Sequence, residues 1–257
     1  MFRFVAHFNK NVRGLSDVVS KFQEFLISKN NIEDNVNPEI VFVFGGDGYL
    51  LDAIKQYSDT DASYMLINAG NLGFYSEISV ENLDEFYAAF NYDKLIYETH
   101  HFVRIKDEYG HSAFGANEIM VASGVTTLTA NLYINGEDFM HVIGNGICIS
   151  TAFGSSGYNH SLGGPLMVDE NGLAMSLLAP IHNARSHPEI RSLLLRNKDK
   201  ITLEVTSTYP YEVAADMKII NEFKGNRFTI EKCAKRFRLA HIKKVDVYQR
   251  IKRAFIN

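Results

Sequence analysis

Ile40-Val41-Phe42-Val43-Phe44-Gly45-Gly46-Asp47-Gly48-Tyr49-Leu50-Leu51-Asp52-Ala53-Ile54 is the stretch that decides the fold. An unbroken apolar run from Ile40 to Phe44 is the pattern of a strand buried on both faces, as in a parallel sheet. The run stops at Gly45-Gly46-Asp47-Gly48 and resumes as the helix-like Tyr49 to Ile54. Glycine carries no Cβ to keep a ligand from the main chain. The first N–H groups of a helix are unpaired and sit at the positive end of its dipole, so such a turn suits a nucleotide phosphate. A plainer reading stands beside this one: Asp is a favoured N-cap, and Asp47 does nothing more. The turn lacks the Gly-Lys-Ser/Thr ending of the phosphate loop. The chain also has no G-x-G-x-x-G between strand and helix, and none of the protein-kinase signatures.

Working outward, Phe2-Arg3-Phe4-Val5-Ala6 reads as a strand, and Leu15, Val18, Val19, Phe22, Phe25 and Leu26 share one helical face. Past the glycine turn come a strand over 64–67 and a helix with Leu83, Phe86, Tyr87 and Phe90 at helical spacing. This alternation predicts an α/β N-terminal domain, a parallel sheet with helices and right-handed crossovers. Ligands of such sheets bind beyond the carboxyl ends of the strands. Both Gly45-Gly46-Asp47-Gly48 and Asn68-Ala69-Gly70-Asn71-Leu72-Gly73-Phe74 fall there and are expected to share one cleft.

From about His100 the period becomes alternating, with strands expected over 102–106, 117–122, 132–134, 147–151, 201–206, 211–215 and 227–232. Asn135-Gly136 between apolar runs is a hairpin signal. The expected organisation is an α/β domain over 1–100, joined by a C-terminal helix over 243–257, and a β-rich, mainly antiparallel domain over 101–242. Val247, Tyr248, Ile251 and Phe255 give that last helix an apolar face in need of a partner.

With 257 residues, 46% of them apolar, the chain has ample material for a core. A net charge of −4 argues against a nucleic-acid partner, and the basic residues of 232–238 are interleaved with Cys233, Ala234 and Phe237 as on a solvated strand face. No apolar run approaches the roughly 18 residues of a membrane span. The N-terminal residues read as a strand rather than a signal peptide, so a cytoplasmic location is expected. Cys148 and Cys233 lie apart in apolar contexts and are expected to be buried and reduced, with no metal site of protein ligands. Asn159-His160-Ser161 matches a glycosylation sequon by chance in such a chain.

Two further segments stand out: Gly115-Ala116-Asn117-Glu118-Ile119, and the small polar tract Ser150-Thr151-Ala152-Phe153-Gly154-Ser155-Ser156-Gly157-Tyr158-Asn159-His160-Ser161-Leu162-Gly163-Gly164-Pro165. The second is long for a plain loop in a compact domain, and such loops are usually functional or disordered. Taken in order with Gly-Gly-Asp-Gly, Asn-Leu-Gly-Phe and a later Asp216, these motifs resemble those of the NAD kinase family from about residue 38 to 217. The closing Val-Tyr-Gln-Arg-Ile-Lys-Arg-Ala-Phe-Ile resembles the family's terminal helix.

The resemblance implies phosphorylation of the adenosine 2′-hydroxyl of NAD, using ATP or polyphosphate and a divalent metal (Mg, or Mn), by a homo-oligomer, a tetramer or a dimer. By matched position, Asp47 would orient and deprotonate the hydroxyl, Gly46 and Gly48 would make room for phosphates, and Phe74 would line the cleft. Asn117 and Glu118 would hold the adenosine. Ser156, Gly157, Tyr158 and Ser161 would surround adenine and nicotinamide, while Ala179 and Ile181 would reach across a subunit interface. Asp216 sits where the family has an acidic residue near the active site.

Departures cluster at the site: Tyr49 where a hydroxyl residue usually follows the glycine turn, Asn145 in place of the acid of Gly-Asp-Gly, Phe153 for a small hydroxyl, and Gly157 for alanine. Asn145 removes a negative charge at the nicotinamide end, which predicts weaker discrimination between NAD and NADH. Phe153 is expected either to narrow the pocket or to stack on a base. Alternatives to an NAD kinase are a lipid or sugar-phosphate kinase sharing the glycine turn, and a non-catalytic NAD or nucleotide sensor. Arg185 and Arg191 are the basic residues considered for the transferred phosphate, with ordinary surface roles the plainer reading.

Overall fold

The computed structural model describes residues 1–70, 73–181 and 190–256. The chain divides into two compact units, Met1–Thr99 with Phe237–Asn257, and His100–Arg236.

In the first unit, β1 (Arg3–Phe8), β2 (Ile32–Glu33), β3 (Ile40–Phe44) and β4 (Ser63–Asn68) are parallel in the order β4-β3-β1-β2, and β5 (Ile78–Ser79) extends the sheet beside β4. All five residues of β3 and all six of β4 are buried, as the unbroken apolar run required. The helix α1 (Leu15–Ser28) buries Leu15, Val19, Phe22 and Leu26, its single apolar stripe. Phe22 sits 4.9 Å from Phe42, 5.0 Å from Phe44 and 5.2 Å from Phe86 of α3 (Leu83–Ala89), a cluster of mostly edge-on rings. The helix α2 (Asp47–Gln56) springs directly from the glycine turn and buries Leu50, Ala53 and Ile54. Gly45 N donates to Ile67 O, so the carboxyl ends of β3 and β4 stay in register up to the turn.

The strand β6 (Ile96–Asp107) begins in the first unit and, within the second, pairs with β7 (Ser112–Gly115). A six-stranded antiparallel sheet has β8 (Glu118–Ala122) and β11 (Gly146–Ser150) at its centre. Outside β11 lie β12 (Gly172–Leu178) and β13 (Ser192–Arg196), and outside β8 lie β15 (Glu212–Ala215) and β16 (Lys218–Ile219). The hairpin of β9 (Leu128–Ile134) and β10 (Glu137–Gly144) turns at Asn135 and Gly136, with φ of 55° and 88°, the left-handed pair an Asn-Gly turn supplies. Against β9 runs β14 (Lys200–Val205), which pairs in turn with the start of β17 (Arg227–His241). The predicted fold class, α/β followed by β-rich and antiparallel, is the fold observed.

Several details differ from expectation. The strands β12 and β13 have no counterpart among the strands the sequence predicts: every residue of β12 is buried, so it shows no alternation, and its Leu, Ala and Met carry little strand preference. The basic residues of 232–238 belong to β17 but are not all solvated. Lys232 is 9% exposed and reaches Glu170, while Lys235 lies over Phe102 and Phe114. Cys148 is buried but Cys233 only partly so, and both are free.

The largest difference concerns the C-terminal helix, α5 (Val247–Phe255), which is capped by Asp246 accepting from Tyr248 N. Its buried residue is Arg250, whereas Tyr248 and Phe255 are 66% and 42% exposed. Arg250 donates to Glu98 at 2.8 Å and Glu77 at 3.4 Å and lies over the ring of Tyr75. His241 stands between the same two carboxylates, at 3.2 and 3.3 Å. Glu77 and Glu98, 11% and 35% exposed, favour a cation over the apolar face, since a carboxylate partly withdrawn from water gains from a paired partner.

Candidate active site

The first unit shows what the glycine turn does. Gly46 occupies the N-cap position with an extended backbone, no side chain caps α2, and its carbonyl accepts from Tyr49 N and Leu50 N. Asp47 is therefore the first helical residue and not the cap. Its carboxylate reaches to the loop after β4, where Oδ2 accepts from Phe74 N at 2.8 Å and Oδ1 from Tyr75 N at 3.2 Å. A Cβ on Gly73 would stand 2.8 Å from Asp47 Oδ1, so only glycine admits the carboxylate here. At Gly46 and Gly48 a Cβ would meet nothing within 4 Å, which leaves the outer side of the turn clear for a ligand. The two loops predicted to share a cleft are thus joined directly through Asp47, although Asn71 and Leu72 lie outside the described residues. Tyr49 is folded back over Gly45, where a Cβ would meet its own Cβ at 2.8 Å, and its ring lies 6.0 Å from His7. Phe74 is half-buried beside Phe255.

In the second unit, register builds a turn at the start of β8. The pairing Ser150↔Glu118 brings the end of β11 to one side, and Ala215↔Ile119 brings the end of β15 to the other. From the β15 side, Asp216 accepts from Ala116 N, Asn117 N and Glu118 N at 2.8, 2.7 and 3.2 Å. From the β11 side, Thr151 Oγ1 donates to Ala116 O at 2.6 Å, Thr151 N donates to Asn117 O at 2.8 Å, and Gly154 lies so close that a Cβ would collide with the Asn117 main chain. The main chain of 116–118 is fully engaged, and two side-chain atoms are not. Asn117 Oδ1 and Glu118 Oε2 are buried with no hydrogen-bond partner among the described residues. Buried acceptors without partners are costly and point to a ligand that satisfies them.

The tract over 150–165 is ordered as a 3-10 turn, Phe153–Ser156, and a single turn of α-helix, α4 (Tyr158–Ser161). Ser156 is half-buried, and Gly157, Tyr158 and Ser161 are exposed. Asn159, which opens the sequon, is fully buried; its amide donates to Ser155 O and Pro165 O, and its Oδ1 accepts from Ser176. Phe153 is 2% exposed, and its ring lies 4.9 Å from His100 of β6. Asn145 Nδ2 points at the carbonyls of Gly124, Thr126 and Ser123, at 3.1, 3.3 and 3.5 Å, which ties down the β8–β9 loop in a way no aspartate could. Ala179 has φ of 40° and, like Ile181, is exposed. Arg191 is exposed, and Arg185 lies outside the described residues.

Burial, and secondarily the charge of Asp216, pushes the Glu118 carboxyl up from 4.5 to about 7. A raised acid stabilises the fold fully below its unfolded value, and that contribution is lost as pH rises towards 7. Glu118→Gln is therefore expected to match the wild type near pH 4.5 and to exceed it at pH 8, by up to on the order of 3 kcal/mol. Denaturant midpoints at the two pH values check this, and a constant difference between them counts against it.

The first unit thus offers a glycine turn with a carboxylate tethered at a helix start, and the second a pair of buried polar atoms without partners among the described residues. Residues 116–242 match the profile of the ATP-NAD kinase C-terminal domain. The NAD kinase of Leuconostoc mesenteroides subsp. mesenteroides is 29% identical over 98% of both chains, and that of Levilactobacillus brevis is 30% identical over 70% of both. Among solved structures, a yeast NADH kinase complexed with NADH superposes with a TM-score of 0.81 at 14% identity, covering 98% of this chain and 86% of that one. An NAD kinase from Archaeoglobus fulgidus in complex with ATP gives 0.74 at 20% identity, covering 98% and 97%. At these identities the structural likeness establishes the fold. The chain belongs to the NAD kinase family.

Proposed function

We propose that this protein phosphorylates the 2′-hydroxyl of the adenosine ribose of NAD, with ATP or polyphosphate as donor. The observation that carries the reading is the Asp47 carboxylate, fixed through both oxygens by the amides of Phe74 and Tyr75 beside two glycines with clear space around them. In this role Asp47 accepts the hydroxyl proton and aligns the attacking oxygen. Phosphoryl transfer through a loose transition state rewards that alignment more than it rewards a strong base. Gly46 and Gly48 give the donor phosphates access to main-chain N–H groups, with Phe74 as wall. The free acceptors Asn117 Oδ1 and Glu118 Oε2 take ribose and adenine donors, and Ser156, Gly157, Tyr158 and Ser161 surround the rest of the dinucleotide.

No group of three or more His, Cys, Asp or Glu side chains gathers as a metal site among the described residues. Mg²⁺ or Mn²⁺ would be held largely by donor phosphate oxygens and water, as Mg²⁺ commonly is, and would neutralise charge on the transferred group. The exposed Ala179 and Ile181 suit a role at a subunit interface in a cytoplasmic homotetramer. No helix among the described residues is long and apolar enough to cross a membrane.

Incubation with ATP, Mg²⁺ and NAD, read by ³¹P NMR for a new 2′-phosphomonoester, tests the reaction, and parallel arms with NADH and with polyphosphate define acceptor and donor. Formation of NADP is the expected result. Binding of NAD without turnover would make the protein a sensor, and turnover of a lipid or sugar phosphate alone would move it to the related kinases.

A further inference from the structure

Arg253 stands on the last turn of α5, three residues beyond Arg250, and its contacts are unusual for a helix-end cation. Its Nη2 donates to Gly73 O at 3.3 Å and to Phe74 O at 3.0 Å. Those two carbonyls belong to the same peptide units whose N–H groups, on Phe74 and Tyr75, donate to the two oxygens of Asp47. In a trans peptide the C=O and N–H point in opposite directions. The arrangement is thus guanidinium, peptide, carboxylate, repeated over two consecutive peptides. Each peptide accepts from a cation at one end and donates to an anion at the other, the condition under which hydrogen bonds polarise and strengthen one another.

Around it the helix is clamped: Arg250 lies over the Tyr75 ring at 5.2 Å and is paired with Glu77 and Glu98. A plainer account is that Arg253 favours the negative end of α5. That account leaves unexplained why both acceptors lie on the Asp47 loop, and why Arg253 Nε is buried with no hydrogen-bond partner among the described residues, a cost that simple docking would avoid.

We infer that Arg253 is a positioning residue for Asp47: it holds the two peptides of 73–75 so that their amides fix the carboxylate in its working orientation. The inference deepens the kinase reading and rests on it for the rate effect, but not for the geometry.

Arg253→Gln is expected to lower kcat by on the order of ten- to a hundredfold while KM for NAD stays within about twofold, because a small misplacement of an aligning group acts on the transition state rather than on substrate binding. Arg253→Lys, which keeps the charge but lacks the planar fork, should recover part of the rate. Lys252→Ala, on the same turn and exposed, should leave it unchanged.

A second readout is independent of activity. In protein selectively ¹⁵N-labelled at Phe and Tyr, the Phe74 and Tyr75 amide protons should move upfield in Arg253→Gln, in the same direction as in Asp47→Asn. Shifted amides with reduced kcat establish the role. Unshifted amides, or a lower melting temperature with kcat intact, overturn it. A wild-type protein inactive on NAD defeats the kinase reading alone, because the amide shifts still test the positioning.

Discussion

Asp47→Asn is expected to yield a folded protein that still binds NAD but turns it over about a hundred- to ten-thousandfold more slowly. The carboxylate presents two equivalent acceptors, and both are used, by Phe74 N and Tyr75 N. Asparagine presents one acceptor and one NH₂ group, so one of the two amides would face a donor. An unsatisfied buried amide costs on the order of 1–3 kcal/mol, enough to rotate the side chain or displace the loop but not to unfold the domain. In the proposed role of Asp47, the proton acceptor and the alignment of the attacking oxygen are lost together. A carboxylate is a weak base towards an alcohol of far higher pKa, so the alignment is the larger part of the loss. Initial rates of NADP formation, with NAD affinity measured by calorimetry, check the prediction. A near-normal rate would remove Asp47 from the reaction.

Much of this arrangement was legible in the residues, and what was not has a common cause. The unbroken apolar run at Ile40–Phe44 identified the central parallel strand because burial on both faces leaves that trace, and Asn135-Gly136 marked its hairpin through backbone geometry alone. Local signals of this kind survive translation into structure. The strand β12 did not show, because residues buried throughout and rich in Leu, Ala and Met leave neither period nor propensity. Arg250 has no mark in the apolar pattern of α5, because the face that docks meets Glu77 and Glu98, which are distant in sequence. Its spacing from Arg253 placed two cations on one side of α5, a signal that was available. Phe153 could not be placed from its neighbours, since the surface that receives it is supplied by His100. Thr151, Gly154 and Asn159 stand in the sequence only as parts of the small polar tract. Their work is to brace the Asn117–Glu118 turn and the tract itself, which depends on strand register and has no sequence-local trace.

Asp216 illustrates the same point and yields the second large effect. Family resemblance places an acid near the active site, and chemistry alone would make it a ligand-facing group. Yet its carboxylate already accepts three backbone N–H groups of residues 116–118. Asp216→Asn is the informative replacement because the residue has φ of 48°, a left-handed conformation that asparagine tolerates nearly as well as aspartate. Backbone strain is then unchanged, and only acceptors and charge are lost. Hydrogen bonds to a charged group contribute about 1.5–3 kcal/mol each, so a variant left with one acceptor oxygen should lose on the order of 3 kcal/mol of stability. With the turn loosened, Asn117 and Glu118 no longer present their acceptors from a fixed frame, and KM for NAD should rise by about tenfold or more while kcat falls less. A denaturation midpoint and a KM measured on the same preparation test both halves. Weaker NAD binding with an unchanged midpoint would mean that Asp216 touches the ligand itself. A shift in both, in proportion, is what a brace beneath the proposed adenosine site requires.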